Sequence, residues 1–207
     1  NAPSNKNTGG TVYVAAASFI NNCSFYGYNG SIDNTSLVLS GGAATVLNTT
    51  LYESSDKATA VRLYNSGASA NIYNNVIIAG SNSVAAGWGN LTGSVTSCGY
   101  NYTRAWKTGA DSGTTASAST ISTDTVVTDP ALFTQASTTD GRGYYTWTKP
   151  AEVTGTTKAN VTAFLNGIAG GSDFAAWLDT VGGLTHDLAG NERPAEGAWY
   201  PGCYQGK

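Results

Sequence analysis

Along the first half of the chain, short apolar runs alternate with small polar breaks, and the breaks recur at a fixed interval. Three segments align: Ile20-Asn21-Asn22-Cys23-Ser24-Phe25, Val46-Leu47-Asn48-Thr49-Thr50-Leu51 and Ile72-Tyr73-Asn74-Asn75-Val76-Ile77. Asn22, Asn48 and Asn74 are spaced by 26 residues each time. A second β-type run precedes each, at 11–14, 36–39 and 60–64, and a looser fourth unit spans 95–102. Pieces such as Ser40-Gly41-Gly42 and Ser66-Gly67-Ala68 separate the runs. A unit of two or three short strands cannot bury its apolar face alone. Stacked in parallel about 4.8 Å apart, each strand pairs with its equivalent in the next unit. Asn22, Asn48 and Asn74 then form one ladder. An asparagine at a sharp bend tolerates positive φ and bonds its neighbours above and below. The competing reading is an antiparallel sandwich, which also shows irregular short strands. The leucine-rich pattern and long amphipathic stretches of other solenoids are absent.

Residues 1–106 therefore read as coils, 107–128 as a polar Ser/Thr/Ala/Gly-rich loop or strand segment, and 129–207 as a C-terminal capping region. Within the last, 143–147 reads as a strand with alternating aromatics. Val161, Phe164 and Leu165 predict a short helix stopped by Gly167. Ser172 is the expected cap of a second helix that buries Phe174, Trp177 and Leu178 on one face. A solenoid needs a cover over its last coil, because an open end exposes core and strand edges, and 129–207 is assigned that task.

Composition narrows the function classes. Charged residues make up 11% of the chain and the net charge is −3, with no basic stripe. Nucleic-acid binding, which requires clustered cations to neutralise phosphates, is therefore not expected. No apolar run approaches the about 20 residues of a membrane-spanning helix. With no methionine and no leader at its start, the chain reads as a mature or cleaved product, or as part of a longer protein. Cys23, Cys98 and Cys203 are odd in number and lack zinc-site spacing. They read as small buried hydrophobes, with a Cys98–Cys203 disulfide as the alternative.

Coils of the form I-x-N-C-S-F and I-Y-N-N-V-I-I resemble right-handed parallel β-helix proteins of the pectate-lyase-like superfamily. The order Asp129-Pro130-x-Leu132-Phe133, Asp187-x-x-Gly190-Asn191-x-Arg193-Pro194 and Gly202-x-Tyr204-Gln205 is similar to the C-terminal end of secreted, Bacteroides-type choice-of-anchor Q proteins. Where that group ends in D-I-G-A-Y-E, this chain has Tyr200-Pro201-Gly202-Cys203-Tyr204-Gln205. The resemblance implies an all-β fold: a right-handed parallel β-helix of about four coils with a 26-residue period, followed by a C-terminal cap with one or two short helices. It also implies a secreted or cell-surface location.

Enzymes on this fold use clustered acids, with Ca²⁺ in the lyases and paired carboxylates in the glycosidases. In the coils the candidates are Asp33, Glu53 and Asp56, with Lys57 and Arg62 as basic partners; these read as solvated turn charges. The only histidine, His186, stands beside Asp187 like a base with its orienting acid, but no nucleophile motif accompanies it. Asp187 and Arg193 read instead as ties of the terminal turn. No catalytic residue, metal site or cofactor is assigned; Ca²⁺ enters only with the lyase alternative. Trp88, Trp106, Tyr144 and Trp147 are the candidates for a sugar-stacking platform, against core and cap packing. Sequons at Asn22, Asn29, Asn34, Asn48, Asn90, Asn101 and Asn160 read as a product of composition rather than as glycosylation sites. The expected function is a non-catalytic extracellular module for adhesion or glycan binding, with a polysaccharide or cell-surface glycan as partner and the oligomeric state open. The alternatives are a polysaccharide lyase or glycosidase, and a purely structural distal cap.

Overall fold

The computed structural model describes residues 12–27, 35–53, 59–78, 82–86, 93–104, 125–127, 133–135, 145–147 and 155–203. These residues are mostly strands in parallel sheets, joined by two short helices. The first repeat contributes β1 (Val12–Val14), β2 (Ser18–Asn21) and β3 (Ser24–Gly27). The second contributes β4 (Thr35–Leu39), β5 (Gly42–Leu47) and β6 (Thr50–Glu53), and the third β7 (Thr59–Leu63), β8 (Ala68–Tyr73) and β9 (Val76–Ile78). The fourth contributes β10 (Asn82–Ala86), β11 (Ser94–Gly99) and β12 (Tyr102–Arg104).

Each repeat gives one strand to each of three sheets, ordered β1-β4-β7-β10, β2-β5-β8-β11 and β3-β6-β9-β12. The third sheet continues to β13 (Thr125–Val127). Every pairing in these sheets is parallel, which the antiparallel sandwich does not allow. The antiparallel pair β14 (Phe133–Gln135) and β15 (Tyr145–Trp147) stands apart as a fourth sheet.

Register differs between the sheets. In the second and third, partners keep the 26-residue interval, as in Ile20↔Val46↔Ile72 and Ser24↔Thr50↔Val76↔Tyr102. In the first, Val12↔Leu37↔Val61↔Val84 steps by 25, 24 and 23 residues. A bulge between Val95 and Ser97 restores the interval before the fourth repeat reaches its corner. Alternate residues from all three sheets fill one core, among them Leu37, Val46, Leu51, Val61, Ile72 and Ile77. That alternation is the period-two pattern of half-buried strands.

A second apolar cluster forms on the outer side of the second sheet. Leu47 and Tyr73, with Phe19 beside them, pack against α1 (Lys158–Asn166) and α2 (Gly171–Thr180). Thr157 caps α1 by accepting a hydrogen bond from Asn160 N. The cap expected at Ser172 is not used; α2 begins two residues earlier, at Gly171 behind Gly170 at φ 71. The helices meet too closely for an ordinary residue there, because a Cβ on Gly171 would collide with the carbonyl oxygen of Leu165. α2 buries Gly171, Ala175 and Leu178, so the small side chains set the contact face and Trp177 is left outside, 57% exposed. The expectation that Trp177 is buried is thereby corrected. Residues 155–203 also lie along the flank of the stack, with hydrogen bonds to all four repeats at Asn22, Thr50, Asn74 and Tyr100.

Candidate functional site

The polar chemistry of the described residues gathers at the corner between the second and third sheets, where residues 155–203 meet the stack. Asn22, Asn48, Asn74 and Tyr100 each turn this corner with positive φ, at 52°, 47°, 55° and 57°. Asparagine tolerates that conformation better than most side chains; Tyr100 has no such advantage. Asn74 Nδ2 donates to Asn48 Oδ1 at 2.7 Å. Asn48 Nδ2 donates at 3.0 Å to Asn21 Oδ1 rather than to Asn22, so the ladder steps sideways at its first rung. Asn22 turns to the flank, donating to the carbonyls of Gly183 (3.2 Å) and His186 (2.8 Å).

One residue further along runs a second, inward column: Cys23, Thr49, Asn75 and Asn101. Asn75 Oδ1 accepts from Thr49 N at 2.9 Å, and Asn101 Oδ1 accepts from Asn75 N at 3.0 Å. Asn75 Nδ2 donates to Val46 O and to Asn101 Oδ1, and Asn101 Nδ2 donates to Ile72 O. This column was not singled out from the sequence, although Asn75 and Asn101 share the 26-residue interval. The signal was hidden because Cys23 and Thr49 hold the first two positions.

The flank closes on this corner through Arg193, Cys203 and Gly202. Arg193, almost wholly buried, donates from one amine to Asn22 Oδ1 (3.0 Å) and to Gly202 O (3.1 Å). Its guanidinium carbon lies 5.4 Å from the ring centre of Trp199, whose Nε1 donates to Pro194 O. Burial lowers the Arg193 pKa to about 10, partly offset by the charge of Asp187. Gly202, at φ 91, donates to Asn74 O; a Cβ there would come within 2.7 Å of Thr50 Oγ1. Cys203 is buried against Thr50, and burial pushes its thiol up to about 11, which makes it a poor nucleophile. Burial likewise raises Cys23.

Several candidates are relocated by these contacts. No disulfide joins the three cysteines; Cys98 packs against the inner core while Cys203 stands outside at Thr50, so the Cys98–Cys203 disulfide is not formed. Asp187 accepts from Ala189 N and Asn191 N at Oδ1 and from Asn191 Nδ2 at Oδ2, holding a turn. His186 is exposed and its Nδ1 meets Thr185 Oγ1 at 2.9 Å. Arg62 is buried on β7, not solvated. Asp33, Asp56 and Lys57 lie outside the described residues, as does the side chain of Glu53. Trp88, Trp106 and Tyr144 also lie outside them, and of Trp147 only its place in β15 is described.

The sequon amides at Asn22, Asn48, Asn101 and Asn160 are all engaged in hydrogen bonds within the fold. Among the described residues, no group of three or more His, Cys, Asp or Glu side chains is placed to hold a metal ion, and no helix is long and apolar enough to cross a membrane. Compared with known proteins, the chain matches no family model, no curated protein and no solved structure.

Proposed function

We propose that this chain is a non-catalytic, extracellular or cell-surface module for adhesion or glycan binding, and that its three parallel sheets wind as a right-handed β-helix of the pectate-lyase-like type. The handedness rests on the strong preference of parallel strand connections for the right-handed crossover. The low charge of the chain and the sequence resemblance support the extracellular placement.

The observation that carries the non-catalytic reading is the use made of the polar side chains around the corner. Asp187 holds its own turn at Ala189 and Asn191, Arg193 ties the flank to Asn22, and the asparagine columns bond rung to rung within the stack. A glycosidase needs two carboxylates facing each other across about 5–10 Å. Asp187, the buried acid at this corner, has both carboxylate oxygens held by the turn at 189–191.

The test has two arms. The purified chain is screened on an immobilised glycan array and, separately, incubated with polygalacturonate and neutral polysaccharides while new reducing or unsaturated ends are followed. Retention of at least one glycan with no new ends is the expected result. Turnover abolished by replacing an acid of the chain would overturn the non-catalytic reading. The absence of any retained glycan would overturn the binding reading.

A further inference from the structure

The geometry points to the exposed face of Trp177 as a stacking site for a neutral pyranose. This inference rests on the glycan-binding reading above and assigns it to a residue that the sequence had placed in the interior.

Three observations carry it. The first is preorganisation. Phe174 stacks on Phe19 of β2 with ring centres 4.1 Å apart and planes 23° apart, and Trp177 stacks on Phe174 at 5.9 Å and 24°. The indole is thus the outermost step of an aromatic stack rooted on the second sheet. Its helix is anchored beneath by buried Ala175 and Leu178, and to α1 by the Lys158–Asp179 pair at 2.8 Å. A ligand arriving there meets a flat surface already in position, so little ordering cost opposes binding.

The second is exposure. One side of Trp177 is occupied by Phe174, yet the residue remains 57% exposed, which leaves the other side of the indole to solvent. An exposed tryptophan with a free face is a costly surface in water, and it matches the C–H face of one sugar ring.

The third is the chemistry around the ring. Asp173 lies one helical turn before Trp177 and Thr180 three residues after it, and both are exposed. Oxygen acceptors beside an aromatic face suit a ligand rich in hydroxyl donors. The Asp173 carboxylate, unlike Asp179 with its Lys158 partner, also selects against acidic sugars by like-charge repulsion. A protein partner would instead require a continuous apolar patch of several hundred Å², whereas the exposed apolar side chains at this end of α2 are Trp177 and Val181, flanked by exposed Asp173 and Thr180.

The experiment compares the intact chain with Trp177→Ala and Trp177→Tyr. Binding of cellohexaose, xylohexaose, mannohexaose and tri-galacturonate is measured by calorimetry and by tryptophan fluorescence. Trp177 is exposed, so thermal unfolding should be unchanged in both variants. Binding of at least one neutral oligosaccharide is expected, weakened on the order of tenfold or more in Trp177→Ala and largely restored in Trp177→Tyr. Equal affinity in Trp177→Ala would overturn the site while leaving the glycan-binding reading standing. Binding of none of the four, by a chain that retains other glycans on the array, would also overturn the site alone. Tighter binding of tri-galacturonate than of the neutral sugars would overturn the ligand class. A concentration-dependent dimer abolished by Trp177→Ala would assign the face to a second copy and overturn the proposal. If no glycan is retained in either assay, the site and the broader reading fall together.

Discussion

The corner between the second and third sheets and the connections back to the first sheet follow different rules. At the corner every repeat keeps the same spacing, the same positive φ and the same pair of columns. On the way to the first sheet, the segments 28–34, 54–58 and 79–81 shorten from one repeat to the next, and the register of the first sheet shifts with them. The difference is one of hydrogen-bonding demand. A side-chain amide at the corner bonds the turn of the next repeat, so a residue gained or lost would strand several buried polar groups together. Between the third sheet and the first no fixed spacing is kept, the strands being separated by seven, five and three residues in turn, and closure entropy changes slowly with such length.

The largest effect is expected from a single glycine inserted between Leu47 and Asn48. It would move both columns out of phase with Asn22 and Asn74 and cost about 4 kcal/mol or more, read as loss of the cooperative unfolding transition in urea. Asn75→Ala comes next. It strands Thr49 N and Val46 O and removes a donor to Asn101, for a loss of about 3 kcal/mol in the same measurement.

Cys203 gives an intermediate effect with a definite pH sign. Its thiol ionises near 9 when unfolded and near 11 when folded, so its contribution is complete below pH 9 and disappears as pH rises through 11. Between pH 9 and 10 the chain should therefore lose about 1 kcal/mol that Cys203→Ala does not lose, as measured by urea unfolding of both proteins across that range. The smallest effect is expected from three glycines inserted within 54–58, which should cost less than about 1 kcal/mol. A loss as large as that at the corner would remove the distinction between the two kinds of connection.

Much of the strand arrangement was legible because its cause is local and repeated. Asn22, Asn48 and Asn74 stand at equal intervals amid apolar neighbours, and parallel stacking is the arrangement that brings equal positions together. The inward column escaped notice because a thiol, a hydroxyl and two amides can occupy equivalent sites without looking alike. The burial of Trp177 was misjudged because helical spacing gives a face but not what faces it. Close packing at Gly171 sets α2 with Ala175 and Leu178 inward. The ties at Gly202 and Cys203 were equally hidden, since nothing local records that a strand some 150 residues earlier lies against them.

The flank has a consequence for how this chain can change in length. Asn22 is held at Gly183 and His186, Thr50 at Cys203, Asn74 at Tyr200 and Gly202, and Tyr100 at Asn160. Deleting one whole repeat would preserve the internal pairing of the sheets yet leave these anchors about 4.8 Å out of step. Residues 155–203 thus work as a gauge laid beside the stack, reading its height, so that the number of turns is set from outside as well as from within.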